Sequence, residues 1–361
     1  MDEMGIGLFG YGFIASAHVA ALRTAGARIV AVCGPHRERA ETFARRYAIA
    51  HVYTEPARML ARADIAAVVV ASPDTSHAAL TMAAAKAGKH VFCEKPLATT
   101  LAEARAMVAA VQESGRVGMT GFLLRGAPVV QRMAAAIRQG EAGTLISLHA
   151  QRSNATLLGP EAVHTWRTDA RQSGLGVLGD LGSHMIDLAL LLAGPITEVS
   201  ADLLTFVQEL PDAATGRPVP QRLDDDVTLA LRFAGGAHGT ISLSRVGVAD
   251  AHLPLGRSQI VVNGSKLAII SDGIAHATVH RLGSAPQEWP LDARVAGLDH
   301  GALLAYLGEE LMRAFLEAIR SGMPAPPTLE DGLAVQAVLD AALRSATSRC
   351  WEHVPGTNLS I

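Results

Sequence analysis

The chain has 361 residues, which is more than one hydrophobic core usually organises, so its length predicts two domains. Apolar residues make up 49% of it and charged residues 18%, a composition typical of a globular protein and not of a disordered one. The formal net charge of −3 provides none of the basic surface that nucleic acids or anionic membranes attract.

The cysteines and the N-terminus bear on the compartment. The three cysteines, Cys33, Cys93 and Cys350, form no CxxC pair and no disulfide framework, so a reducing environment is expected. The first residues are acidic and lead directly into a strand, which predicts no signal peptide. No apolar run reaches the ~18 residues of a membrane helix. We therefore expect a soluble cytoplasmic protein with neither a membrane nor a nucleic-acid partner.

Short apolar runs alternate with helical stretches through the first third of the chain. This alternation predicts βαβ units and a parallel sheet that is covered on both faces. The predicted strands are Ile6–Phe9, Arg28–Cys33, Ala66–Ala71, His90–Phe92 and Val117–Phe122. The predicted helices are Ile14–Ala25, Arg37–Tyr47, Ser76–Ala87 and Leu101–Glu113.

After about residue 145 the predicted strands are longer and partly alternate in polarity. Gly235-Gly236 predicts a hairpin, and Asn263-Gly264 and Asp272-Gly273 predict two-residue turns, because these residues accept positive φ. We therefore expect an antiparallel meander. Its strands are predicted at Thr144–Arg152, Ile196–Glu209, Val227–Phe233, His238–Arg245, Gln259–Val262, Lys266–Ile270 and Ala275–Leu282. Helices are predicted at Leu181–Ala193, Ala302–Ser321 and Leu329–Ser345.

A glycine-rich turn follows the first predicted strand and opens the first helix. It reads Gly10-Tyr11-Gly12-Phe13-Ile14-Ala15, the G-x-G-x-x-A pattern of dinucleotide-binding domains. Gly10 permits the tight turn, Gly12 lets a pyrophosphate approach the backbone, and Ala15 lets helix and strand pack closely. The alternative is a glycine-rich turn without a ligand. The strand, the helix and the repeated βα units favour the cofactor site.

The end of the second predicted strand bears on the choice of nicotinamide cofactor. Sites that prefer NAD usually carry an Asp or Glu there, about 20 residues after the glycine-rich turn, to bind the ribose hydroxyls. In this chain Gly34 stands at that position, and Arg37 and Arg39 follow, where they can meet a 2′-phosphate. The alternative is that these arginines only solvate the next helix. The sequence predicts NADP or NAD, with NADP favoured.

Two further segments make a family resemblance specific. Cys93-Glu94-Lys95-Pro96 follows the fifth predicted strand, and residues 174–187 read GLGVLGDLGSHMID. Together with the glycine-rich turn, these segments resemble the Gfo/Idh/MocA family of glucose–fructose oxidoreductase, inositol dehydrogenase and their relatives. The resemblance covers nearly the whole chain. It implies an N-terminal Rossmann domain with a doubly wound parallel sheet (1–122), followed by an open, mainly antiparallel sheet with helices on one face (123–361).

The resemblance implies most of the site residues, and Gly34 and Arg37 join them from the argument on cofactor choice. The residues expected to contact the cofactor are Gly10, Gly12, Phe13, Ile14, Ala15, Gly34, Arg37, Ser72, Pro73, Asp74, His77, Glu94, Lys95, Trp166 and Arg167. The residues expected to contact the substrate are Lys95, Arg125, Gln151, Asp180 and His184. Lys95, Asp180 and His184 are implied to be the catalytic residues.

These three residue types suit the oxidation of a secondary alcohol. A histidine such as His184 can take and return the hydroxyl proton near neutral pH. If the helix has begun at Asp180, four residues earlier, its carboxylate shares a face with the imidazole and can orient it. Lys95 follows a strand end, and its ammonium can polarise the substrate oxygen. Which of Lys95 and His184 moves the proton stays open, and each residue alone has an ordinary structural explanation.

Other titratable residues are predicted to be structural. Asp224-Asp225-Asp226 lacks the remaining ligands of a calcium loop and is predicted to cap a turn into the strand at Val227. His18 is predicted to be structural. The sequence has no HExxH motif and no His/Cys pair at zinc spacing, so no metal site is expected.

The sequence therefore predicts an NAD(P)-dependent dehydrogenase or reductase that acts on a sugar, a sugar derivative or a cyclitol. Polar side chains such as Gln151 and Arg152, expected on an exposed sheet face, agree with such a substrate. The alternatives are an NAD-dependent glycoside hydrolase on the same scaffold and a non-catalytic cofactor-binding regulator. A partly apolar open sheet face also predicts a homodimer or homotetramer formed through the C-terminal sheet.

Overall fold

In the computed structural model, which describes residues 3–250, 256–290 and 292–356, the chain divides into two compact units. The first unit comprises the described residues up to 123 together with 298–333. The second comprises residues 124–297 and those from 334 onward, as far as they are described.

The strands and helices are numbered in chain order. The strands are β1 (Met4–Phe9), β2 (Ala27–Cys33), β3 (His51–Tyr53), β4 (Ala67–Val70), β5 (His90–Cys93), β6 (Gly118–Thr120), β7 (Leu145–Ser153), β8 (Ile196–Leu204), β9 (Glu209–Pro211), β10 (Pro218–Pro220), β11 (Asp226–Phe233), β12 (His238–Ser244), β13 (Arg257–Gly264), β14 (Leu267–Ser271), β15 (Ala277–Arg281), β16 (Gln287–Glu288) and β17 (Glu352–His353). The helices are α1 (Phe13–Thr24), α2 (Arg37–Arg46), α3 (Pro56–Leu60), α4 (His77–Lys86), α5 (Leu101–Glu113), α6 (Pro128–Arg138), α7 (Ser183–Ala193), α8 (His300–Ser321) and α9 (Leu329–Ser348). None of these helices combines the length with the apolar composition that crossing a lipid bilayer requires.

The first unit is built on a six-stranded parallel sheet in the order β3-β2-β1-β4-β5-β6. This is the doubly wound Rossmann order, so the predicted βαβ units are confirmed. β4 is buried along its whole length, as expected of a strand covered on both faces. The structure adds β3 and α3, which are too short for their periodicity to show in the sequence.

Helix α8 belongs to the first unit although it comes late in the chain. Its buried residues Met312 and Phe315 share a hydrophobic cluster with Ala15 and Val19 of α1. The predicted division assigned all of 123–361 to the second domain, and the structure differs because the apolar side of α8 is buried in the core of the first unit. Only contacts between residues distant in sequence reveal this assignment.

The second unit contains a nine-stranded sheet in the order β16-β15-β14-β13-β7-β12-β11-β8-β17. The sheet is mainly antiparallel, as predicted. It is not a simple meander, however, because β7 lies between β12 and β13 and runs parallel to β12. Along β11 and β12, buried and exposed residues alternate, so one face of the sheet is covered and the other is open.

The three predicted hairpin turns have different outcomes. Gly235-Gly236 joins β11 to β12, and Gly236 has φ of +85°. Asp272-Gly273 is not a two-residue turn, because the loop spans residues 272–276, where Oδ1 of Asp272 accepts three backbone N–H groups. Asn263-Gly264 also differs, since Asn263 still pairs across the ladder and the loop lies beyond it.

Candidate active site

The glycine-rich turn leaves the N-terminus of α1 open. Gly10 has φ of +101°, and a Cβ there would lie 2.4 Å from the carbonyl oxygen of Ala71. A Cβ on Gly12 would meet nothing within 4 Å, and Gly12 is the N-cap of α1. Phe13 is 83% exposed, while Ala15 is buried against the sheet. The first N–H groups of α1 therefore face open space, and the turn fits a pyrophosphate.

The end of β2 is shaped by Tyr11. A Cβ on Gly34 would lie 2.3 Å from Cε1 of Tyr11, so the ring occupies the space that a side chain at position 34 would need. The Tyr11 hydroxyl accepts the backbone N–H of His36 at 3.1 Å. The Arg39 guanidinium lies 5.7 Å from the centre of the Tyr11 ring. Tyr11 in this position thus excludes a carboxylate at residue 34.

Arg37 lies beside a small surface pocket at the start of α2. The pocket has a volume of about 460 Å³ and is lined by residues 35–39. The side chain of Arg37 is 62% exposed, and its Nη1 lies 3.1 Å from Oε1 of Glu41. A surface pair of this kind is weak and open to exchange with another anion.

Residues 72–74 follow β4, and His77 ties them to the segment after β5. The side chain of His77 is fully buried. Its Nδ1 lies 2.9 Å from the carbonyl oxygen of Pro96 and its Nε2 lies 3.0 Å from that of Ser72. Burial lowers the pKa of His77, but the neighbouring Cys93 thiol and other acceptors raise it to about 10. Because a neutral imidazole has one N–H, only the charged form donates to both carbonyls.

Glu94 follows β5 and is buried. Its Oε1 lies 2.7 Å from Nε2 of His18, and its Oε2 accepts the backbone N–H of Lys95 at 3.1 Å. Burial raises the pKa of Glu94, but the hydrogen bond to His18 and the charge of Lys95 bring this pKa below its usual range. A Cβ on Gly121 would lie 2.9 Å from this carboxylate. His18, predicted to be structural, therefore holds the carboxylate that precedes Lys95.

Asp224 holds the glycine-rich segment of the second unit. Its Oδ1 accepts the N–H of Gly176 at 3.2 Å, and its Oδ2 accepts the N–H of Leu178 at 2.7 Å. A Cβ on Gly176 would lie 2.2 Å from the Asp224 carbonyl oxygen, so glycine is required there. Burial raises the pKa of Asp224. Asp225 accepts the N–H groups of residues 206 and 207, so these two acids cap backbone segments distant from the turn at Val227.

Asp180 and His184 lie on consecutive turns of one helical segment. Residues Leu178–Gly182 form a π-helical turn that continues into α7, so the helix has begun at Asp180 as the spacing requires. Oδ2 of Asp180 lies 2.5 Å from Nη2 of the buried Arg245. His184 is buried in the first turn of α7. The segment approaches β12 closely because Gly182 has no side chain.

Arg125 differs from its predicted role. It is buried, and its Nε lies 2.8 Å and 2.9 Å from the two carboxylate oxygens of Asp187. The carboxylate of Asp187, one turn beyond His184 on α7, is also buried. The guanidinium of Arg125 therefore binds a carboxylate of α7, a contact that the sequence did not predict.

Gln151 and Arg152 lie on opposite faces of β7, because successive strand residues alternate. Gln151 pairs with Ser242 and Gln259 on the open face, which is away from Asp180 and Arg245. The structure thus separates Gln151 from the other predicted substrate residues of this unit. Arg152, expected on the exposed face, lies on the covered one.

Trp166 and Arg167 are half-buried neighbours in a turn of the second unit. The Arg167 guanidinium lies 4.5 Å from the centre of the Trp166 ring, which is a cation–π distance. Arg245, which the sequence reasoning missed, had one detectable feature. It continues the buried series Gly239, Ile241 and Leu243 of β12 and thus places a charge at a core-facing position.

Comparison with known proteins extends the similarity over both units. Residues 4–122 match the model of the oxidoreductase family with an NAD-binding Rossmann fold, and residues 130–270 match the model of the GFO/IDH/MocA C-terminal domain. Levoglucosan dehydrogenase of Pseudarthrobacter phenanthrenivorans is 28% identical over 401 aligned residues, covering 98% of this chain and 99% of that protein. Inositol 2-dehydrogenase of Rhizobium meliloti is 30% identical over 353 residues, covering 95% and 97%.

A solved structure gives the same result. Levoglucosan dehydrogenase in complex with NADH and levoglucosan has a TM-score of 0.88 to this chain at 28% identity, covering 98% of this chain and 100% of that one. The Rossmann order of the first sheet, the glycine-rich turn and the two family models agree. The chain therefore belongs to the Gfo/Idh/MocA family of oxidoreductases.

Proposed function

We propose that this chain is an NAD(P)-dependent dehydrogenase or reductase that transfers a hydride between nicotinamide and a hydroxyl or carbonyl carbon of a sugar, a sugar derivative or a cyclitol. The observation that carries the proposal is the turn before α1, where Gly10 has no room for a side chain and Gly12 faces open space. Relatives named levoglucosan dehydrogenase and inositol 2-dehydrogenase support the substrate class.

The catalytic residues in this proposal are Lys95, Asp180 and His184. Bound nicotinamide supplies the hydride acceptor or donor. The Lys95 ammonium stabilises the negative charge that develops on the substrate oxygen. The hydroxyl proton passes to a ring nitrogen of His184 and returns from it in the reverse reaction. Asp180, which is itself held by Arg245, keeps a negative charge beside the imidazole as it becomes charged.

The cofactor residues in this proposal surround the glycine-rich turn. They are Gly10, Gly12, Phe13, Ile14, Ala15, Gly34, Arg37, Ser72, Pro73, Asp74, Glu94, Lys95, Trp166 and Arg167. His77 has a different role from its predicted contact, because both of its ring nitrogens face backbone carbonyls. It positions the segments before Asp74 and after Lys95.

NADP is the favoured cofactor. Support comes from Gly34, which provides no carboxylate for ribose hydroxyls, and from Tyr11, which fills the space that such a carboxylate would need. The exposed guanidinium of Arg37, beside its pocket, is suited to a 2′-phosphate.

A cytoplasmic homodimer or homotetramer completes the proposal. The three free cysteines support a reducing compartment. The open face of the nine-stranded sheet supports association through the C-terminal sheet. Light scattering after size exclusion tests the assembly, and a monomeric mass at micromolar concentration contradicts it.

The first experiment measures absorbance at the reduced-nicotinamide band while sugars and cyclitols are presented with NAD and NADP separately. We expect reduction with at least one polyol and a higher kcat/KM with NADP. Lys95→Ala should lower kcat by about 1,000-fold, because an electrostatic catalyst is lost, while the cofactor should still bind, because the other cofactor residues remain. Lys86→Ala, at an exposed position of α4, is the matched control. Equal turnover by Lys95→Ala and the parent chain contradicts the assignment.

A further inference from the structure

The covered face of the second unit's sheet holds an arginine, Arg152, two of whose nitrogens have no hydrogen-bond partner among the described residues. Arg152 lies on β7 opposite Leu243 of β12 and Ser258 of β13. Nε and Nη1 of Arg152 and Oγ of Ser258 are buried, and no described residue gives any of these atoms a hydrogen bond. Two cross-strand neighbours thus present unused polar atoms to the same space.

Arg152 differs from two buried arginines of the second unit, Arg125 and Arg245. Arg125 is paired with Asp187, and Arg245 is paired with Asp180. Burial lowers the pKa of Arg152, and the nearby charge of Asp180 only partly opposes this effect. An arginine stays charged in a protein, and a buried charge is normally paired. Asp180 supplies a nearby charge but no hydrogen bond to Nε or Nη1, so these two N–H groups fit an anion from outside the described chain.

The Arg152 guanidinium belongs to the same cluster of charges as Asp180. Leu243 faces Arg152 across the ladder, and Arg245 follows two residues later on the covered side of β12. Arg245 holds Asp180, and the carboxylate of Asp180 also acts on the charge of Arg152. A group bound at Arg152 therefore lies beside a residue assigned to the reaction.

We propose that Arg152 and Ser258 form a subsite for a carboxylate of the substrate, so that the preferred substrate is a sugar acid or an acidic cyclitol. A planar guanidinium binds the two oxygens of a carboxylate, and the serine hydroxyl donates a further hydrogen bond. The negative charge of Asp180 disfavours a dianionic phosphate more than a monoanionic carboxylate. This inference rests on the proposed function, which supplies the reaction at the remaining hydroxyls.

Calorimetry on the chain saturated with NADP, or with NAD if that binds better, tests the subsite. Glucuronate is compared with glucose, and galacturonate with galactose, so that the two members of each pair differ only in the carboxylate. We expect at least one acid to bind about 10-fold more tightly than its neutral partner. Arg152→Met should weaken binding of that acid about 100-fold and of the neutral sugar less than about 3-fold. Ser258→Ala should weaken binding of the acid about 5-fold.

Matched controls come from the open face of the same sheet. Arg232→Met removes an exposed arginine of β11, and Gln259→Ala changes the residue after Ser258. Both should leave the acid's affinity unchanged. If Arg152→Met does not fold, Arg152→Lys keeps the charge and loses the planar fork, and it should weaken the acid about 10-fold.

Three results would overturn the subsite. They are equal affinity for acid and neutral sugar, an equal loss of both in Arg152→Met, and tighter binding of glucose 6-phosphate than of glucuronate. Turnover separates this inference from the proposed function. If neutral polyols are oxidised but acids do not bind, the subsite is contradicted and the dehydrogenase function stands. If an acid binds through Arg152 but no polyol is turned over, the subsite stands and the dehydrogenase function is contradicted.

Discussion

The two regions that carry the candidate site satisfy their buried polar groups in different ways. In the first unit, both ring nitrogens of His77 lie within hydrogen-bond distance of backbone carbonyls, and Glu94 is bound by His18 and a backbone N–H. In the second unit, Asp224 also accepts backbone N–H groups, but further buried groups form ion pairs, as Asp180 does with Arg245. There Nε and Nη1 of Arg152 have no hydrogen-bond partner among the described residues.

This difference suits the first region to holding a cofactor and the second region to binding a substrate. Strand ends and turns fix the first region through hydrogen bonds to the backbone, which suits a cofactor whose phosphates have a constant shape. The second region adds ion pairs to its backbone hydrogen bonds, and breaking an ion pair leaves an uncompensated charge in the interior. Substitutions in the second region should therefore have the larger effect on the free energy of unfolding. In the first region, a change of pH should alter stability through titratable groups such as His77.

The largest expected effect is at Asp187. Asp187→Ala leaves Arg125 buried and unpaired, so the free energy of unfolding at pH 7 should fall by about 4 kcal/mol, as measured by urea denaturation. The double variant Arg125→Met/Asp187→Ala should recover most of this loss, because neither charge then remains buried.

Asp202→Ala is the control for Asp187→Ala. Asp202 pairs with Arg349 at the surface, where both side chains are more than half exposed. Its loss should change the free energy of unfolding by less than about 0.5 kcal/mol. A loss below about 1 kcal/mol in Asp187→Ala would show that the second region does not depend on its ion pairs.

A pH-dependent effect of intermediate size is expected at His77. Its folded-state pKa of about 10 exceeds its usual value of 6.5. The charged form therefore stabilises the fold fully below pH 6.5, and this contribution is lost as the pH rises through about 10. The difference in unfolding free energy between the parent chain and His77→Gln should shrink by about 2 kcal/mol between pH 6 and pH 10.5. A constant difference across this range contradicts a charged His77.

Local patterns predicted the first region well. The G-x-G-x-x-A turn and the strand ends are features of neighbouring residues, and the structure contains them. In the second region the spacing of Asp180 and His184 is a local feature of the same kind. The order β3-β2-β1-β4-β5-β6 also follows from repeated βαβ units, whose connections have one hand.

Partners that are distant in sequence were not predictable. A strand's period of two tells which residues share a face but not which strand lies beside it, so the position of β7 between β12 and β13 was missed. The same limit put Arg152 on the wrong face and left the ion pair of Arg125 with Asp187 unpredicted. Polar residues at core-facing positions need their three-dimensional partners before a role can be assigned.

The smallest expected effect tests why the first region has no carboxylate at the end of β2. In Gly34→Asp the new Cβ meets the Tyr11 ring, so the free energy of unfolding should fall by about 1 kcal/mol. The carboxylate should also shift the ratio of kcat/KM values from NADP towards NAD. Tyr11→Ala/Gly34→Asp removes the clash, so the stability costs of the two changes should be less than additive. Additive costs in this double-mutant cycle would mean that Tyr11 does not determine the residue at position 34.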